Sequence, residues 1–533
     1  MKINTLKKKL LSLNFIIILI ISLFDANAQS VERVEIPTRG DDQGFQVITL
    51  GEEGVLLLTK IGKINFNITK LDNQLHQSWS KNGELEENQS MVDFYRDGRD
   101  VYFLFSKYNS DLYQIIKVST GIGIIQKFFF ENIRRFEISE FKVFNEVAYL
   151  AGMVKEEPVL MSVNFNKMQP RILAGGIKGT ASISSLDYDN INDLLIVSYS
   201  VKKGRSSYMA VKRINPNGKI VEQLTVEPEE DYGLLTGKLF SLNDGTQLMI
   251  GNYGFKGYQS NGGPMSQGLY ISKVDGETPE YLKMHSFTDF KNFFKFLPTK
   301  QQEKIEKKIK KKKGKGDDLK LNYRVLVHEI IKKDNQYVLV AEVFYPEFRN
   351  YNNYGSPFYG SAFGSPFGLG YNSLNAMRFS RYYGLNSWAW NPWMYSNYSN
   401  NNQQFDGFKY THAIIAGFDL DGKLVWDNSF SFDNVKSMEL KEKVKIRYEG
   451  DEISLVYSNK GKLATKIVRG NEVIEGIKTI DIDTQKEGDK VRDTATDEIE
   501  YWYQNYYLAW GYQRIVNRNE GSRRVFYLNK IAF

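Results

Sequence analysis

At 533 residues the chain has room for two to four ordinary domains or for one large repeat array. A hydrophobic fraction of 42% beside 25% charged residues is that of a folded soluble chain and argues against global disorder. The formal charge is only +7, and there is no cysteine, so disulfides, a lipidated cysteine and a cysteine nucleophile are all excluded.

The first element is a targeting segment. Lys2, Lys7, Lys8 and Lys9 precede an apolar run from Leu10 to Phe24, interrupted only by Ser12, Asn14 and Ser22, and Ala26-Asn27-Ala28 supplies small residues at a cleavage site. This layout predicts a secretory signal peptide over residues 1–28, cut before Gln29. The run of about 15 residues is shorter than the roughly 20 that span a bilayer, and no later segment spans. Cleavage lowers the formal charge from +7 to about +4 by removing four lysines and Asp25. An exported chain without cysteine must draw its stability from a large core.

From residue 65 onward a unit recurs: an alternating strand, a closing apolar residue and a turn former. The copies are "INFNITKLDNQ", "LYQIIKVSTG", "VLMSVNFNKM", "YMAVKRINPNG", "LYISKVDGE", "AIIAGFDLDG", "ATKIVRGNE" and "VFYLNKIAF", with the apolar residue at Leu71, Val118, Phe165, Ile214, Val274, Phe418, Val468 and Ile531. Successive differences between these positions are 47, 47, 49, 60, 144, 50 and 63. Another strand-like run precedes each copy, among them "GVLLLTKI", "DVYFLFSKY" and "DLLIVSYSV". Short runs rich in Val, Ile, Tyr and Phe, broken by Gly, Asn and Asp, are β rather than helical.

A period near 47 with about four strands per unit predicts an all-β fold, a β-propeller of eight blades, with seven as the alternative count and an array of β-sandwiches as the alternative architecture. One four-stranded blade cannot bury both faces, and stacking blades around an axis does. The last copy ends one strand short, so "VERVEIP" at 31–37 is expected to complete the final blade. Residues 29–533 are then one propeller domain carrying two insertions.

"FDLDGKLVW", ending at Trp426, and more weakly "KLDNQLHQSW", ending at Trp79, resemble the quinoprotein-like propeller repeat with its Asp-x-x-Gly turn and outer-strand tryptophan. The resemblance covers these two copies. That group includes quinone-dependent dehydrogenases and outer-membrane assembly scaffolds. Its enzyme branch implies a metal site beside the quinone and commonly a vicinal disulfide. The first is not assignable here and the second is impossible, so the resemblance implies the non-catalytic branch.

The irregular differences of 60 and 144 locate the insertions. The first spans 287–318, "FTDFKNFFKFLPTKQQEKIEKKIKKKKGKGDD". It is read as a short amphipathic helix stopped near Pro298, then a charged helix fraying at Gly314. Lys304, Lys307, Lys308, Lys310, Lys311, Lys312, Lys313 and Lys315 place eight positive charges within twelve residues. The electrostatic patch is assigned to Lys307, Lys308, Lys310, Lys311, Lys312 and Lys313, against the alternative of a solvated inter-blade loop; such a patch suits acidic lipid head groups or an acidic polymer. The rest of the mature chain is near charge balance, which excludes a dedicated nucleic-acid partner.

The second insertion, 345–408, holds 19 aromatic residues and only two acidic ones, Glu347 and Asp406. It is expected to interrupt one blade between its second and third strands. Tyr and Trp on a Gly/Ser/Asn-rich backbone make a recognition surface, since aromatics supply contact area and a polar edge at low entropy cost. Trp388, Trp390, Trp393, Tyr382, Tyr383 and Tyr395 are the candidate contacts; the alternative is a passive loop over the end of the propeller.

Catalytic signals are poor. His76, His285, His328 and His412 lack metal-ligand spacing, and no HExxH, GxSxG or P-loop pattern exists. "DIDTQKEGD", 481–489, lacks the central glycine and the closing glutamate of a calcium loop. No catalytic residue, metal or cofactor is assigned. The expectation is an exported bacterial propeller, periplasmic or at the cell surface and not an enzyme, that acts as a protein-interaction scaffold of the envelope, with peripheral membrane contact open. The alternatives are a polysaccharide-binding or carbohydrate-active propeller and a passive structural component.

Overall fold

The computed structural model describes residues 29–533 apart from 351–402 and the short stretches 39–43, 108–109, 132, 156, 174–176, 178–179, 243, 261–262 and 438–439. The segment read as a signal peptide lies outside the described residues.

Each repeat folds into a four-stranded antiparallel sheet. In blade 1, for example, Phe45–Thr49, Val55–Ile61, Asn65–Leu71 and Gln77–Glu84 lie side by side in chain order. Blades 2 to 5 begin at Ser90, Glu137, Thr180 and Tyr232, and blades 6 to 8 at Arg324, Lys445 and Lys490. The recurring apolar residue closes the third strand of every blade, and all eight copies are buried. Blade 8 has only three strands in sequence, Lys490–Tyr503, Tyr506–Asn517 and Gly521–Ala532; its outer strand is Gln29–Pro37, antiparallel to the last, with Gln29 opposite Ala532 and Pro37 opposite Val525. The chain is an eight-bladed β-propeller closed by its N-terminal strand.

The core sits between blades rather than at a centre. Among the described residues, eight buried apolar clusters each join one blade to the next, and the last joins blade 8 to blade 1. A second strand therefore buries both faces. In blade 1, Leu56 and Leu58 face blade 2 while Val55 and Leu57 face blade 8. This is why "VLLL" reads as a continuous apolar run instead of alternating.

The outer-strand tryptophans have a definite job in this packing. Trp79 lies over Gly123 of blade 2, where a Cβ would come within 2.9 Å of the ring; Trp426 lies against Gly470 of blade 7 and over Gly417 of its own blade. Both tryptophans thus dock on the turn between the third and fourth strands of the following blade, and Trp426 Nε1 donates to Gln336 Oε1 at 2.8 Å. Gly422 closes the adjacent hairpin at φ +75°, the left-handed region that favours glycine, with the Asp419 carboxylate accepting from the N–H groups of Asp421 and Lys423.

The linker from blade 5 to blade 6 corrects one expectation. Its first half is not an amphipathic helix stopped by Pro298. Phe287, Phe290, Phe293 and Phe294 are buried in the wedge between the two blades, with a single 3-10 turn over Phe293–Phe296. Four phenylalanines gain more by filling the wedge than by lining one face of a surface helix. Pro298 instead precedes the helix α1, Thr299–Lys313, where its missing N–H leaves nothing unsatisfied. Gly314 caps the far end, as read from the sequence.

Candidate functional site

Strand direction alternates within a blade. The linker between blades and the turn between second and third strands therefore emerge on the same side of the disc. Both insertions obey this rule. In blade 6 the second and third strands, Gln336–Asn350 and Gln403–Asp419, pair from Gln336 opposite Asp419 out to Asn350 opposite Gln403. That ladder ends at Asn350 and Gln403, on the side of the disc where α1 lies. A two-residue strand, Lys436–Ser437, braces it against Phe408–Lys409, and Lys436 Nζ meets Glu347 Oε2 at 2.7 Å.

The linker beneath α1 is pinned at several points. The Asp427 carboxylate accepts the N–H groups of Lys291 and Asn292 at 2.8 and 2.7 Å, and Asn292 Nδ2 donates to the Asp427 carbonyl. His412 stacks on Phe296 at 4.1 Å and meets the edge of Phe293 at 4.9 Å. On α1 itself Ile305 and Ile309 rest on the core between blades 5 and 6, and Gln302 Nε2 donates to the Leu297 carbonyl. The lysines fall on the other sides. Lys307, Lys308, Lys310, Lys311 and Lys313 are exposed, whereas Lys312 is partly covered. Lys312 pairs with Asp317 at 2.8 Å and Lys313 with Asp289 at 2.5 Å, so the six-lysine patch is partly neutralised at its C-terminal end.

A second cluster lines the inner wall. Glu342, fully buried, accepts the N–H groups of Lys443 and Val444 at 2.8 and 2.6 Å and lies 3.0 Å from His328 Nε2. Lys441 and Lys443 both reach Glu498 at 2.9 Å, and Lys445 reaches Glu500 at 3.0 Å. Burial opposes the charge on His328, but Glu342 prevails and its pKa is raised. Burial likewise opposes ionisation of Glu498, yet Lys441 and Lys443 hold its pKa down at about 2. The segment before blade 7 is thereby tied to blades 6 and 8.

Leu440 also lines a cavity of about 320 Å³ among the inner strands, with Phe94, Phe141, Ile183 and Leu326 and the polar Asp93, Ser139, Glu140, Lys142 and Ser184. Ser139 and Ser184 are the extra residues of β-bulges in the inner strands of blades 3 and 4, and blades 2 and 5 carry the same irregularity at Val92 and Leu235. A bulge re-aims side chains: the Ser139 and Ser184 hydroxyls donate to the Ala151 and Gly237 carbonyls, while Val92 and Leu235 are buried apolar residues. A mixed wall of this size suits water or a small molecule.

The sequence reading did not find this cluster. Its signal is a period of two in charge: Lys441, Lys443 and Lys445 in the extended segment entering blade 7, and Glu498 and Glu500 in the first strand of blade 8. The aromatic candidates Trp388, Trp390, Trp393, Tyr382, Tyr383 and Tyr395 lie outside the described residues. The histidines are dispersed: His76 is exposed, His285 Nε2 lies 2.7 Å from the Gly422 carbonyl, and His328 and His412 are buried. Among the described residues no three His, Asp or Glu side chains are placed to hold a metal, and no helix is long and apolar enough to cross a membrane.

No protein-family profile and no curated protein matches the chain. Solved structures similar to it include the Dos1 propeller, at 9% identity over 84% of this chain and 93% of that one, with a TM-score of 0.37. The β-propeller domain of the trilobed protease from Pyrococcus furiosus follows at 8% identity over 82% and 97%, TM-score 0.33. A prolyl endopeptidase matches at 8% identity and TM-score 0.34, over 83% of this chain but only 50% of its own length. Identities this low are a likeness of fold alone, and the architecture rests on the strand order itself.

Proposed function

We propose that the chain is an exported, non-enzymatic propeller that serves as a protein-interaction scaffold in the bacterial cell envelope, periplasmic or at the cell surface, with the face bearing both insertions turned to its partner. One observation carries the reading: the paired strands of blade 6 deliver the ends of the aromatic-rich 351–402 segment to the same side of the disc as the lysine helix. A ring of eight blades supplies a rigid base, so contacts on that face form without the cost of ordering the scaffold. Trp388, Trp390 and Trp393 are the anchors of the contact surface, as large amphipathic side chains are at interfaces generally. The docking of Trp79 and Trp426 on the following blade supports a repeat of quinoprotein-like kind.

The test is capture of partners from an envelope extract by the intact chain and by a variant in which 351–402 is replaced by a short Asn-Gly turn. The variant is expected to keep its thermal midpoint, because the 336–350 and 403–419 ladder stays whole and is closed by a two-residue turn, and to lose the principal partner. An unchanged partner set overturns the reading.

A further inference from the structure

Four of the lysines of α1 line up along it. At 3.6 residues per turn, Lys300, Lys304, Lys307 and Lys311 fall within about 60° of arc, on the side opposite Ile305 and Ile309. They form a single file about 16 Å long at 1.5 Å rise per residue, with neighbours roughly 4.5 to 6 Å apart along the axis. All four are exposed, and none forms an ion pair with another described residue.

Glu303, three residues after Lys300 and four before Lys307, offsets only part of the repulsion within this file. Lys300 with Lys304, and Lys307 with Lys311, are like charges four residues apart and repel one another. Lys300 also sits in the first turn, which holds no acidic residue, where a cation opposes the helix dipole. The lysines of the last turn, by contrast, complement the dipole, and two of them have carboxylate partners.

We propose that this ridge binds a linear polyanion, an acidic polysaccharide whose carboxylate or sulfate groups run along the helix. Two features favour a chain over a bilayer. The apolar side of α1 is already spent on the core between blades 5 and 6, so no apolar face remains to enter lipid. Glu303 lies beside Lys307 along one side of the ridge, and Asp289 and Asp317 lie at its end. A flat anionic surface would be pressed against these acids, whereas a single strand lying on the ridge avoids them. The choice of a glycan over a nucleic acid rests on the proposed export of the chain.

Affinity electrophoresis of the intact exported chain through gels containing polygalacturonate, with neutral dextran as reference, tests the proposal. Polygalacturonate is expected to retard the protein and dextran not, and the retardation is expected to fade between about 50 and 300 mM salt. The variant K300Q/K304Q/K307Q/K311Q is expected to bind at least about tenfold more weakly, and the corresponding four-arginine variant to bind as the parent does. Ile305 and Ile309 are untouched, and an unchanged thermal midpoint certifies the fold. No retardation of the parent, or equal retardation of the glutamine variant, overturns the proposal. Tighter binding to vesicles rich in phosphatidylglycerol, or to a single-stranded oligonucleotide, overturns it in favour of those partners. All variants keep residues 351–402, so failure here is separate from failure of the partner-capture experiment.

Discussion

His412 shows how a single buried side chain sets a property of the whole chain. It is fully buried between the Phe293 and Phe296 rings, Thr411 Oγ1 contacts its Nδ1, and its Nε2 has no partner among the described residues. Burial drives its pKa down from 6.5 to about 3, so the folded protein holds it neutral. The sign follows: below about pH 6.5 the unfolded chain takes up a proton that the folded chain refuses, and stability falls as the pH falls toward 3. At about pH 4.5 this one group removes roughly 2–3 kcal/mol. His412→Phe keeps an aromatic ring in the stack and is expected to shrink the difference between urea midpoints at pH 7 and pH 4.5. An unchanged difference shows that the proton goes elsewhere. Sequence alone showed only that His412 lacks metal-ligand spacing; its neighbours Phe293 and Phe296 come from a linker more than a hundred residues away, and no local pattern announces that contact.

At the scale of the element, the repeat was legible because each strand obeys a local rule. Second strands are apolar on both sides, third strands end in one buried residue and a turn, and Asp419 with Gly422 makes a hairpin that local chemistry dictates. The wedge of phenylalanines was not legible. "FKNFFKF" satisfies the spacing of an amphipathic helix as well as that of an irregular buried segment, and only the gap between blades 5 and 6 selects the second. Outer strands are the weakest elements, with one neighbour strand and a mostly exposed face, and the tryptophans compensate. Trp426→Ala, and in the same way Trp79→Ala, is expected to cost about 2–3 kcal/mol in chemical denaturation, somewhat below the range for a fully buried aromatic since each is half-exposed. Val425→Ala, next to Trp426 but pointing to solvent, is expected to change stability by no more than about 0.5 kcal/mol. Equal losses at 425 and 426 are inconsistent with inter-blade docking.

For the whole molecule, closure is the decisive event. Eight interfaces share the apolar burial, and the one between blades 8 and 1 forms only when the two ends of the ring meet. Phe45 stacks on Phe526 at 4.3 Å across that seam, and Trp502 Nε1 donates to the Gly54 carbonyl at 3.0 Å. The N-terminal strand reinforces blade 8 through Arg33, whose guanidinium reaches Glu35, Asn529, Gln513 and the Asp483 carbonyl and lies over the Tyr527 ring. A chain beginning at residue 38 leaves the Gly521–Ala532 strand with an unpaired edge and deprives Asn529, Gln513 and the Asp483 carbonyl of their donor. Its thermal midpoint is expected to fall by roughly 10 °C or more relative to a chain beginning at residue 29, with association through the bared edge. A midpoint within a few degrees shows that the ring closes through its apolar seam alone.

The four-strand repeat and the partner of the last strand follow from the sequence by itself, because a spacing near 47 residues recurs in the first copies and a strand missing at one end matches a surplus strand at the other; eight blades rather than seven was decided by the strand pairing. The charged helix after Pro298 follows too, since charge runs and proline act within a few residues of themselves. What only the tertiary structure decided is which side of each element meets another: the phenylalanine wedge, the Glu342 and Glu498 network, and the turning of the Lys300–Lys311 file away from the core. Those contacts join residues tens to hundreds of positions apart. Their energy depends on where the blades place them in space, a distance that composition and periodicity do not encode.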